Sequence, residues 1–145
     1  MGIAEDLART DPLPRILDWV GSHPAVLGVF GGAQDRVGAY SKRPYPRLRI
    51  TDVPGGTDDM LTRLMAVRVQ VEALGEVDGG PGKEELRRIF YTAVGALGEL
   101  PAAEPTVEGP VIVRIRPAQA GGYLPEADGR PRYLGQVTVW CHPAW

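Results

Sequence analysis

Few side chains in this sequence are equipped for covalent or metal chemistry, and their spacing works against it. There are two histidines, His23 and His142, two serines, Ser22 and Ser41, and one cysteine, Cys141. Nucleophilic catalysis needs a nucleophile within hydrogen-bond reach of an oriented base. Cys141 and His142 are adjacent, and neighbours on a strand point to opposite faces, so they make a poor dyad. Ser22-His23-Pro24 stands at a predicted helix end, where capping or solvation is the expected use of the histidine. A single cysteine builds neither an internal disulfide nor a thiolate metal site. Asp58-Asp59 and Glu84-Glu85 are paired carboxylates. A cation at Asp58-Asp59 would need oxygen ligands from elsewhere, so a solvated or capping loop is the expectation. Glu84-Glu85 falls in the first turn of a predicted helix, where the dipole favours acids. Gly79-Gly80-Pro81-Gly82-Lys83 precedes that helix as a phosphate loop would, but Val77 stands where the first glycine is needed. Glu84 replaces the Ser or Thr that would reach magnesium, so a plain strand-to-helix turn is expected. No catalytic residue, cofactor or metal site is read here, and the chain is not read as an enzyme.

The arginines carry more information. Of sixteen basic residues, fourteen are Arg and only Lys42 and Lys83 are Lys. The planar fork of Arg makes paired hydrogen bonds and stacks on rings, which favours it at polar interfaces. Yet the formal net charge is −2, against the basic footprint of a dedicated nucleic-acid binder.

Chain length and patterning say what must position these groups. At 145 residues the chain makes one domain, spanning 1–145. Its 43% hydrophobic and 23% charged residues are near globular averages. Met1-Gly2-Ile3-Ala4-Glu5-Asp6 lacks an apolar run, so no secretory signal or membrane contact is expected. Leu13, Ile16, Leu17 and Val20 fall at helical spacing behind Asp11 and Pro12. Ala25 to Phe30 fits a helical turn or a strand, and Arg36 to Tyr40 a small edge strand. Arg47 to Val53 alternates polar and apolar until Pro54-Gly55-Gly56 closes it. Leu64 to Leu74 alternates more cleanly still, with Val67, Val69, Val71 and Ala73 on one face. A helix is predicted from Lys83 to Leu97, then a linker from Pro101 to Pro110 and a strand from Val111 to Arg116. A flexible loop, 117–131, and a last strand from Tyr133 to His142 complete the chain.

That order predicts an α+β fold: an antiparallel sheet of four to five strands with two main helices on one face. The uncovered face would then carry Arg47, Arg49, Arg68, Gln70, Glu72, Arg114, Arg116, Thr138 and Trp140. Arginines greatly outnumber acids there, and like charges side by side in a sheet repel. A covering protein, solvent and nucleic acid are the three readings of such a face. Tyr123 and Leu124, in the long loop with little to bury against, point to an arm ordered by a partner.

In its element order and in Pro44-Tyr45-Pro46-Arg47-Leu48-Arg49-Ile50, a Pro-Tyr-x-x-Leu lead-in to a strand, the chain resembles the tail terminator proteins of long-tailed, siphovirus-type phages of actinobacterial hosts. The resemblance runs over most of 13–142 and implies a structural role. Such proteins form a homo-oligomeric ring, usually of six subunits, that caps the tail tube, stops its elongation and joins the tail to the head-side connector. It implies self, the tube protein and the connector or neck protein as partners. DNA would pass through the lumen, and the chain would reside in the tail or neck of the virion after assembly in the host cytoplasm. The subunit and tube contacts would come from Arg47, Arg49, Arg68, Glu72, Arg114, Arg116, Tyr123, Leu124 and Trp140. Another head–tail neck or adaptor protein is a neighbouring reading. A small nucleic-acid-binding domain with Trp140 as a stacking platform is a reading of a different class.

Overall fold

A computed structural model describes residues 2–105 and 107–144; Met1, Thr106 and Trp145, the last of the C-terminal aromatics, lie outside them. The chain begins with three helices, α1 (Ile3–Arg9), α2 (Leu13–Ser22) and α3 (Pro24–Val29). Five strands and one long helix follow: β1 (Val37–Gly38), β2 (Arg47–Asp58), β3 (Met65–Leu74), α4 (Lys83–Glu99), β4 (Val111–Tyr123) and β5 (Arg132–His142). The strands form one sheet in the order β1-β2-β3-β5-β4. The short β1 runs parallel to β2, and every other pairing is antiparallel. The expected α+β class holds, while the sheet is mixed where an antiparallel one was expected.

The period-two pattern decides which face is covered. Leu48 and Ile50 of β2, Val69, Val71 and Ala73 of β3, and Val137, Val139 and Cys141 of β5 are buried on one face. Ile16 and Val20 of α2 and Leu86, Ile89, Phe90, Ala93 and Leu97 of α4 close over them. Each Val, Leu, Ile or Phe among them contributes about 1.5–3 kcal/mol on leaving water, so the helices are held chiefly by this layer. Both Ile89 and Phe90 are buried, although the helical stripe alone left a choice between them.

Phe90 explains why β4 outlasts the expected strand. A Cβ on Gly121 would stand 2.6 Å from Phe90 Cε1, and one on Gly135 would stand 2.7 Å from Phe90 Cζ. The glycines therefore seat an aromatic ring inside the sheet and do not mark a loop. Strand β4 continues through Pro117 to Tyr123, and the 117–131 loop contracts to the 124–131 turn. Strand β2 likewise passes Pro54-Gly55-Gly56 and reaches Asp58. Its register with β3 shifts between Val53 and Thr57, so Pro54 lies where pairing is already interrupted and its missing N–H removes no ladder bond. Gly55 takes φ +124 in that bulge. The 25–30 segment resolves as helix through Val29, with Phe30 as its C-cap, and α1, which sequence patterning did not indicate, buries none of its residues.

Candidate interaction surface

Among the described residues no helix packs on the other sheet face, and register fixes which side chains share it. Across β2, β3, β5 and β4 one row reads Val53, Arg68, Thr138, Arg116, and the next reads Thr51, Gln70, Gln136, Gln119. A third reads Arg49, Glu72, Leu134, Gly122, while Ala66, Trp140 and Arg114 line up near the β2–β3 hairpin. The structure thus places Arg49, Arg68, Glu72, Arg114, Arg116 and Trp140 on one face, as alternation predicts. It does not leave them equally open.

Three of the expected contact residues are committed inside the chain. Glu72 is only 2% exposed. Its carboxylate accepts from Arg49 Nε at 2.9 Å and Nη2 at 2.7 Å, and from Arg132 Nη1 at 3.1 Å. Burial alone would push that carboxyl up, but the hydrogen bonds and charge of Arg49, then Arg132 and Gln70, hold it below its ordinary range. Arg49 is correspondingly held protonated, chiefly by the Glu72 hydrogen bonds, and its Nη2 also reaches Glu126 Oε2 at 3.1 Å. Arg47 is 1% exposed and sits under the preceding loop, donating from Nη1 to the Lys42 carbonyl at 3.2 Å. Arg47 and Glu72 are therefore not surface residues, and Arg49 already has two carboxylates. The reason is tertiary: the 124–131 turn folds back onto this end of the face and brings Glu126 with it.

That turn also supplies Arg130, which donates to the Gly75 carbonyl at 2.8 Å and lies 3.9 Å above the Tyr45 ring. Arg132 donates from Nε to the Leu124 carbonyl at 2.9 Å. Glu126, Arg130 and Arg132 were not among the expected site residues. Their charges alone carried no signal, because the contacts to Arg49, Glu72 and Gly75 join residues more than fifty positions apart. Tyr123 and Leu124 are exposed, as expected, at the junction of β4 and the turn.

The open part of the face lies toward its other end. The Arg114 guanidinium stacks 4.3 Å from the centre of the Trp140 ring. Arg68 lies across the bulge, its guanidinium within van der Waals reach of a Cβ position at Gly55. Arg114 and Arg116 are exposed, and among the described residues neither makes an ion pair.

Beside this end the β2–β3 hairpin projects. Met60 is 63% exposed and Leu61 90%, and with Leu64 and Trp140 they border a shallow groove. Sequence reading passed over this tip because Pro54-Gly55-Gly56 suggested that the strand had ended. The usable signal was two large apolar residues between Asp59 and Thr62, where a turn is normally polar.

The residues weighed for catalysis are scattered. The Cys141 thiol faces the core and is pushed up to about 12, first by burial and then by the charges of Asp11 and Asp58. His142 hydrogen-bonds the Pro143 carbonyl at 2.8 Å on the opposite side of the strand. His23 caps α3, its Nδ1 accepting from the Ala25 N–H at 3.1 Å, and its Nε2 meets Glu99 at 2.7 Å. Among the described residues no cluster of three or more His, Cys, Asp or Glu could hold a metal ion, and no helix is long and apolar enough to cross a membrane. A groove between Thr10, Val107, Pro110 and Pro143 is lined by none of the arginines of the sheet face. Comparison with protein-family models gives no match for this chain, and comparison with curated proteins gives none either.

Proposed function

We propose that this chain is the subunit of a structural ring of the tail terminator type, capping the tail tube of a long-tailed phage and joining it to the head-side connector. The observation that carries this reading is the sheet face without helices. Its half-exposed Arg68, Gln70, Gln136, Thr138 and Trp140 form a polar and aromatic platform. A platform of this composition suits contact with protein: Trp and Arg are enriched where chains meet, and the hydrogen-bonding side chains supply specificity. The Arg49–Glu72–Arg132 network makes one end of it rigid without consuming the remainder. A cap must bind the growing end of a polymer on one side and present a different surface on the other, which a one-sided α+β subunit can do. Self, tube protein and connector are the partners on this reading, and DNA would traverse the ring.

The test is polymerisation of purified tube protein with and without this chain, followed by electron microscopy. Short tubes closed at one end by a ring of density are expected. Tubes that elongate equally in both samples, with bare ends, would refute the assignment.

A further inference from the structure

We infer that the β2–β3 hairpin tip of one chain docks on the β4 edge of a second copy, an interface that deepens the ring reading and rests on it. Three observations meet here: an apolar tip shaped in advance, an acidic flank to it, and an edge of opposite character on the far margin of the same sheet.

The tip is held in shape without a partner. Asp59 Oδ1 accepts from the Leu61 N–H at 3.0 Å and the Thr62 N–H at 3.2 Å, and the Asp59 N–H donates to the Leu64 carbonyl at 2.9 Å. Arg63 ties it to α1 through Asp6 at 2.7 Å. These contacts fix the backbone while leaving Met60 and Leu61 outside, so little ordering remains to be done on binding. They also set the charge. Arg63 is neutralised by Asp6, whereas Asp58 and Asp59 make no ion pair among the described residues, and the tip is locally acidic.

The β4 edge is its complement. Val111 is 40% exposed and Val113 46%, and Arg114, stacked on Trp140, and Arg116 follow immediately, neither in an ion pair among the described residues. Apolar residues would meet apolar residues and carboxylates would meet guanidinium groups, which sets register and rejects the inverted arrangement. Contact through side chains fits the strand as well. The register of β4 with β5 shifts at three places, and Pro117 lacks an N–H, so its outer edge is a poor template for an added strand. Because β2 and β4 lie toward opposite sides of the sheet, each chain offers one tip and one edge. The contact is head to tail, and a head-to-tail contact closes into a ring when its rotation divides the circle.

The full chain would be examined by native mass spectrometry and light scattering across concentration. The wild type should form a closed oligomer. Leu61→Glu and the double variant Val113→Glu/Arg116→Glu should each weaken association by about 30-fold; near-ultraviolet circular dichroism would verify their folding, with Met60→Lys as a second tip variant. Mixed in equal amounts, a tip variant and an edge variant retain one sound surface each, so they should give a one-to-one heterodimer that grows no further. If the oligomer persists in both variants, or if they fail to pair with each other, the docking assignment is overturned while the ring reading stands. A wild type that stays monomeric at every soluble concentration would instead remove the ring reading, and the docking with it.

Discussion

Arg49 and Glu72 sit directly opposite each other on β2 and β3 and make a two-point contact at 2.9 and 2.7 Å on the face that carries no helix. Arg132 and Glu126 extend the pair into a network of alternating charge. A buried carboxylate with two guanidinium partners is costly to remove singly, because the cations stay behind without a counter-charge. Glu72→Gln should therefore destabilise the fold by about 3 kcal/mol, read as a lower urea midpoint at unchanged slope. A loss below about 0.5 kcal/mol would show that the network contributes little.

The same carboxylate gives stability a pH dependence of definite sign. Its folded-state titration lies below the ordinary carboxylate range, so the native state binds fewer protons than the unfolded chain. The contribution is complete above the unfolded carboxylate value and is lost as pH falls through the folded one. In urea titrations the gap between wild type and Glu72→Gln should stay constant from neutral pH down to the ordinary carboxylate range and narrow only below it. A gap that widens on acidification would reverse the assignment.

Gly135 bears on the core from within the sheet. A Cβ there would lie 2.7 Å from Phe90 Cζ and 2.9 Å from the Gln119 carbonyl oxygen. Gly135→Ala should cost about 2 kcal/mol, since one neighbour is rigid backbone, and lower Tm by roughly 4–8 °C. Combining it with Phe90→Leu should cost less than the sum of the two single changes, because each relieves the other. Strict additivity in thermal melts would count against the ring seat.

Cys141 should be chemically silent in the folded protein. It is fully buried with its thiol raised to about 12, so almost no thiolate is present near neutral pH. Iodoacetamide labelling followed by mass spectrometry should stay slow until urea approaches the unfolding midpoint. Rapid labelling of native protein at pH 8 would mean that β5 opens locally.

What could be read in the chain was what depends on periodicity. Val67, Val69, Val71 and Ala73 announced β3 and its buried side, because alternation is a property of the backbone alone. The α4 stripe was equally visible. The strand ends were not, since Gly55-Gly56 and Gly121-Gly122 look like terminators until the bulge at the first pair and the Phe90 ring against Gly121 are known. The exposed face was misjudged in its details for a similar reason. Counting charges on strands omitted Glu126, which a turn returns to Arg49, and alternation could not reveal that the preceding loop covers Arg47.

The network on the helix-free face also has a mechanical consequence. It braces β2, β3, β5 and the 124–131 turn at one extremity of the sheet, whereas the β2–β3 hairpin at the other is moored to α1 by the Arg63–Asp6 ion pair. The molecule thus has a cross-braced heel and a more lightly moored toe, and on the proposed docking subunits would join through the toe and leave the braced end undisturbed.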